Sequence, residues 1–295
     1  SRLLPGPYCS MILADHGARV IAVENRRFKD DAPFLVPLYR NKEHISLDLK
    51  SESGKEIFFR LVQKADVLLE GFRPGATQRL GVDYESVKKV NPQIIYCSIT
   101  GYGQTGPYKD RVGHDVNFLG IAGVLDLVGE KEKPPTIPGV QIADIAGGSM
   151  NGAIGILLAL FAREKTGKGQ YIDISMTDGM ASLMHIPLLS YQFLGQMFKR
   201  SDNILSHRYA FYSTYETRDN QYLAIGAVEY RFWKILCEKL DLPEYAPLQY
   251  DEERRLEIIK GFKEKFKQKT LEQWEVELSD LDVCWSPVNN LEQLL

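Results

Sequence analysis

The chain has 295 residues, 44% of them hydrophobic and 25% charged, with a formal net charge of −3. This balance is that of an ordinary globular protein and excludes the disordered and fibrous classes. Lys and Arg are interspersed with Asp and Glu, so no basic stripe marks a nucleic-acid partner.

Residues 1–7 read as the end of a strand and a turn, and residues 7–16 carry helical apolar spacing that stops at Gly17. The β-branched run 19–23 predicts a strand. Residues 53–65 predict a helix with Phe58, Leu61 and Val62 on one face, and 67–69 and 94–99 predict buried strands. This alternation predicts an α/β fold: a large domain whose mostly parallel, Rossmann-like sheet is flanked by helices. Residues 101–150 are dense in Gly and Pro, as expected of loops that carry a site. A helix is expected over 147–165, a strand over 170–175 and a further helix over 176–194. After residue 200, segments 211–217 and 221–227 predict a hairpin turning at Asp219-Asn220, and charged amphipathic helices follow at 232–240, 252–267 and 271–278. The expected domains are therefore 1–195, a linker 196–210, and a small α+β domain 211–295. The longest apolar run, near 153–162, is about half of the ~20 residues that a membrane span needs, so no membrane partner is expected. Cys9, Cys97, Cys237 and Cys284 are far apart and form no CxxC pair, which predicts neither disulfides nor a metal site and fits a cytoplasmic setting.

Gly101-Tyr102-Gly103-Gln104-Thr105-Gly106 has the spacing of a dinucleotide loop and follows a predicted strand. Pro107 and a continuing loop stand where that loop needs a helix, so a nicotinamide site is not expected. Asp144 lies just before Gly147-Gly148, read as a turn into the long helix. There it serves either as a helix cap or as a reactive carboxylate. His114 follows Gly113 in a chain with five histidines. A His and an Asp on separate loops can exchange a proton across one carbon atom, and Glu229 could orient the imidazole. Arg26, Arg27, Arg40, Lys42, Arg73 and Arg79 are candidates to meet phosphate, Arg73 beside Pro74-Gly75 at a helix start.

Leu4-Pro5-Gly6-Pro7, Arg40-Asn41-Lys42, Phe72-Arg73-Pro74-Gly75, Gly101–Gln104, Gly113-His114-Asp115, Ala143-Asp144 with Gly147-Gly148, and Thr166–Gln170 occur in one order along almost the whole chain. This series resembles the family III CoA-transferases, of the carnitine dehydratase and bile-acid-inducible type. The resemblance implies an acyl-CoA substrate, no metal or redox cofactor, and an interlocked homodimer. It also implies a C-terminal segment returning to the large domain, expected to lie beyond Leu295 in a longer chain.

In transferases of this type the aspartate matching Asp144 attacks the thioester and forms an acyl-aspartyl anhydride. In the α-methylacyl-CoA racemase branch it is instead one of two bases, and a Gly-His-Asp histidine is the other. The resemblance is closest to that branch, since His114 is present and Gly226–Glu229 matches the segment whose glutamate pairs with the histidine. Leu4 stands where formyl-CoA-type transferases have glutamine. The chain departs from the branch in having Ala-Asp-Ile-Ala-Gly-Gly where racemases have Gly-Asp-Phe-Gly-Gly-Gly. The resemblance also assigns Arg26 and Arg79, together with Arg73 and Phe72, to the CoA nucleotide. The expected chemistry is a two-base proton transfer at the carbon α to the thioester, by His114 with Glu229 and by Asp144. Backbone N–H groups of 144–149 are expected to hold the enolate oxygen. CoA transfer through an Asp144 anhydride, and CoA binding without catalysis, are the alternatives.

Overall fold

The structure, a computed structural model, describes residues 3–25 and 33–295. It divides into two units, Ser1–Asp126 with Thr136–Gly195, and Leu127–Pro135 with Gln196–Leu295.

The first unit runs α1 (Pro5–Asp15), β1 (Val20–Glu24), a 3-10 segment (Pro33–Tyr39), β2 (Lys42–Ser46), α2 (Glu52–Val62), β3 (Val67–Glu70), α3 (Ala76–Leu80), α4 (Tyr84–Val90), β4 (Ile95–Thr100) and α5 (Asp115–Ile121). A π-helical stretch (Ala143–Met150) then continues into α6 (Asn151–Thr166), followed by β5 (Gln170–Ser175), α7 (Met176–Ser182) and α8 (His185–Leu194). Among the described residues all strand pairing in this unit is parallel, but it forms two ladders, β1-β2 and β3-β4-β5, where one sheet was expected.

Every residue of β4 is buried, because helices cover both of its faces. Cys97 and Ile99 point into a cluster with Cys9 of α1 and Ala153 and Ile156 of α6. Tyr96, of opposite parity, joins Phe58 and Val62 of α2 and Val87 of α4.

Three local expectations are corrected. Residues 5–7 are the first turn of α1, where proline is tolerated because its missing N–H would have no helical partner anyway. The helix expected over 176–194 is two, because Pro187 cannot donate to the Leu183 carbonyl and its ring crowds it. The helix expected from 147 begins at Ala143, so Asp144 stands inside its opening turn and not in a loop before it. By length and composition Ala143–Thr166 could cross a membrane. One face of it, with Gly147, Gly148, Gly152, Ala153, Ile156 and Ala159, is packed into the first unit.

The second unit contains the expected hairpin, β6 (Tyr212–Glu216) and β7 (Tyr222–Gly226), with α9 (Tyr230–Lys239), α10 (Arg255–Phe266) and α11 (Leu271–Leu278). A third strand, β8 (Trp285–Pro287), pairs antiparallel with β7. Three residues ending in proline show too little alternation to be read in advance. Phe211, Tyr215, Trp233, Phe262 and Phe266 form an aromatic core, with the Trp233 and Phe262 rings stacked 4.9 Å apart. Residues 196–210 are not a linker. Tyr209 and Ala210 are buried in that core, Ser201 donates to the Gly129 carbonyl at 2.7 Å, and Asp202 pairs with Lys131 at 2.8 Å.

Candidate active site

The loop after β4 is held by close approaches. The Gly101 carbonyl accepts from the Thr177 N–H at 3.0 Å and from its hydroxyl at 2.8 Å. A Cβ on Gly101 would lie 2.3 Å from the Phe118 ring, and one on Gly113 would lie 2.8 Å from both Phe118 and the Tyr102 hydroxyl. The glycine before His114 therefore clears space for two aromatic side chains. His114 is the N-cap of α5, and its backbone N–H donates to Asn117 Oδ1 at 3.0 Å. Its imidazole is exposed.

Asp115 follows, buried at the first position of α5, and its Oδ2 accepts the Asp144 N–H at 3.0 Å. This bond ties the two motifs together. Asp144 is half-buried, and among the described residues no hydrogen bond reaches its carboxylate. Burial first and the neighbouring Asp115 charge second lift its pKa from 3.8 to about 6, while His114 pulls it down. His114 and Asp144 thus lie within electrostatic reach of one another, in one unit.

The enolate site expected from the 144–149 backbone needs correction. The Asp144 N–H is taken by Asp115, and the Ile145 N–H donates to the Gln141 carbonyl at 3.1 Å. Gly147 and Gly148 are buried against α7. A Cβ on Gly147 would lie 2.7 Å from the Met176 carbonyl oxygen, and one on Gly179 would lie 2.7 Å from Gly147. The glycine pair permits a close helix contact and is not a turn. Ser149 Oγ closes the segment with its one proton shared between the Pro5 carbonyl at 2.7 Å and the Asp144 carbonyl at 3.0 Å.

Two of the expected phosphate ligands are otherwise engaged. Arg40 forms an ion pair with Asp15 at 2.5 Å, and Lys42 Nζ donates to the Pro7 carbonyl at 2.7 Å and to Ser10 Oγ at 2.8 Å. Both fasten α1. Burial lowers the Lys42 pKa to about 8. Phe72, Arg73 and Arg79 are exposed around α3, and among the described residues neither Arg73 nor Arg79 has a carboxylate partner. Arg26 and Arg27 lie outside the described residues. Glu229 stands in the second unit as the exposed N-cap of α9. Among the described residues no three His, Cys, Asp or Glu side chains gather as a metal site would require.

Two residues of the first unit were not singled out from the sequence. Asp115 sat inside the Gly-His-Asp motif, whose order alone signals it. Glu70 ends a strand, and its burial is visible only once β4 is beside it.

A family model described as CoA-transferase family III matches residues 1–295. The chain is 37% identical to the human (Homo sapiens) protein named alpha-methylacyl-CoA racemase over 296 residues, covering 100% of this chain and 77% of that one. It is 32% identical to the human succinyl-CoA:glutarate CoA-transferase over 314 residues, covering 100% and 70%. The crystal structure of a CAIB/BAIF family protein from Brucella suis superposes with a TM-score of 0.85 at 33% identity, covering 100% of this chain and 82% of that one.

Proposed function

The chain belongs to CoA-transferase family III, and from that membership we propose that it is an enzyme epimerising the α-carbon of a 2-methylacyl-CoA thioester by two-base proton transfer. One observation carries this reading: an unpaired, half-buried Asp144 carboxyl with its pKa lifted to about 6 lies in the electrostatic neighbourhood of His114. A proton α to a thioester is weakly acidic, so its removal calls for a base near neutral pH and its return calls for an acid. Neutral His114 accepts the proton from one face while protonated Asp144 delivers one to the other. The reverse direction begins with Asp144 ionised and His114 protonated. With its pKa about 6, Asp144 is roughly one-tenth protonated at pH 7, so both of its own protonation forms are populated.

From the resemblance, Glu229 is assigned to the catalytic set. Phe72, Arg73, Arg79 and Arg26 are assigned to the CoA nucleotide, which the unpaired guanidinium groups near α3 suit. An interlocked homodimer is part of the proposal, supported by the exposed apolar side chains Ile154, Leu157, Leu158 and Phe161 along α6. Four free thiols favour a reducing, cytoplasmic compartment. The second reading, CoA transfer with Asp144 as nucleophile, is supported by the same unbonded carboxylate.

The two chemistries separate in heavy water. A 2-methylacyl-CoA incubated with the protein and no acceptor acid is expected to gain deuterium at the α-carbon. His114→Ala should slow this at least about a hundredfold for the epimer that His114 deprotonates, within the range of lost general-base catalysis. Undiminished exchange of both epimers by His114→Ala would remove His114 from the mechanism. CoA transfer to an added carboxylate, with a hydroxylamine-sensitive adduct on Asp144 and no α-exchange, would replace the racemase reading with the transferase one.

A further inference from the structure

Across β3, β4 and β5 the residues Glu70, Ser98 and Asp173 are direct register partners, and they share the sheet face that carries Tyr96 and Tyr171. Each lies toward the carboxyl end of its strand, the end at which open parallel sheets bind ligands. Glu70 is buried, with 4% of its surface exposed, and no cation pairs with it among the described residues. Retaining a buried carboxyl without a cation is costly unless its hydrogen bonds are made.

Those bonds lead in two directions. One oxygen accepts the Phe72 N–H at 2.6 Å, and the other is bonded to the Ser98 hydroxyl. Ser98 Oγ in turn accepts from Gln104 Nε2 at 2.8 Å, and the Gln104 N–H donates to Asp173 Oδ2 at 2.9 Å. Gln104 follows Gly103, whose φ of +80° lets the loop turn over β5. The loop after β4 is independently fixed at its start by the two Thr177 bonds to Gly101 and by the packing of Phe118. Among the described residues the loop after β3 has no hydrogen bond at Phe72 comparable to these other than the one to Glu70. Mechanically, then, the glycine loop is the fixed point and Glu70 fastens the Phe72-Arg73 segment to it.

We propose that Glu70, acting through Ser98 and Gln104, is a positioning residue that holds Phe72 and Arg73 in the geometry that grips the CoA nucleotide. The inference rests on the assignment of Phe72 and Arg73 made above. It predicts a binding effect distinct from the chemistry, because the loop leading to His114 keeps its own anchors.

The test is calorimetric titration of the full chain with CoA itself, paired with α-deuterium exchange kinetics. Glu70→Leu fills the same space and makes neither hydrogen bond. It is expected to raise the Kd for CoA and the KM about tenfold while kcat changes less than about threefold, the pattern of lost uniform binding. Glu70→Gln can accept from Phe72 and donate to Ser98, so it should restore affinity to within about twofold. Ser98→Ala cuts the same tie from the other side and should weaken binding about threefold. If Glu70→Leu does not fold, Ser98→Ala decides by the same criterion. Wild-type affinity in a folded Glu70→Leu or in Ser98→Ala would overturn the inference, as would full affinity in Arg73→Ala. A wild-type protein that binds no CoA would instead overturn the thioester reading beneath it.

Discussion

Asp144→Asn should make the first unit more stable near neutral pH while abolishing activity. Asn copies the shape of the side chain and carries no charge. In the wild-type protein the pKa moves from 3.8 to about 6 on folding, chiefly because the carboxylate is withdrawn from water. A shift of about two units corresponds to at most ~3 kcal/mol at about 1.4 kcal/mol per unit. Residual solvent contact at this half-buried group screens that to ~1–2 kcal/mol. The sign follows from the direction of the shift. A raised folded pKa means that the fold prefers the protonated acid. Its contribution is whole below pH 3.8 and is lost as pH rises through about 6. Asn has nothing to lose over that window.

All three tryptophans, Trp233, Trp274 and Trp285, belong to the second unit, so their fluorescence does not report on this substitution. Hydrogen exchange of the α6 amides does. Relative to wild type, protection in Asp144→Asn should be about five- to thirtyfold higher at pH 7.5, the equilibrium equivalent of ~1–2 kcal/mol, and unchanged at pH 4. A difference that is the same at both pH values, or that grows toward acid, would refute the argument that an unpaired buried charge resides at this position.

Gly147→Ala should destabilise the protein by about 1–3 kcal/mol or more in denaturant unfolding, because its Cβ meets the Met176 carbonyl oxygen at 2.7 Å. Gly139→Ala, with open space around the new methyl group, should stay within about 0.5 kcal/mol. Asp115→Asn keeps an acceptor for the Asp144 N–H but removes the second cause of the raised Asp144 pKa, so the Asp144 pKa falls. The acidic limb of the exchange rate, in the direction where Asp144 is the base, should therefore move to lower pH. An unmoved limb would show that Asp115 does not act on Asp144 electrostatically.

What could be read from the sequence was what periodicity encodes. The runs around β3, β4 and β5 are apolar because helices cover both faces, and their parallel pairing followed from the helices between them. The hairpin β6-β7 was legible from its alternation and its Asp219-Asn220 turn. Tertiary contacts were not legible. Gly147-Gly148 signals backbone freedom, yet here it means the closeness of α7, and no local pattern distinguishes the two. Arg40 and Lys42 carry charge that suits phosphate, yet Asp15, Pro7 and Ser10 claim them from more than thirty residues away for Lys42 and twenty-five for Arg40. Likewise, Asp144 and His114 were recognisable as chemistry, but the Asp115 bond that joins their segments spans 29 positions and leaves no trace in spacing.

The contrast between Asp144 and His114 also determines which substitution is informative. A half-buried carboxylate without hydrogen bonds suits a nucleophile as well as a base, so loss of activity on changing Asp144 separates neither chemistry. His114 is different. Its position is fixed by its backbone N–H on Asn117, while its imidazole is exposed. Removing that ring leaves the bond from the backbone N–H of this residue to Asn117 and the Asp115–Asp144 tie in place. An effect of His114→Ala on α-hydrogen exchange is therefore an effect on proton transfer, and sparing of CoA transfer in the same variant would mean that Asp144 acts without its partner.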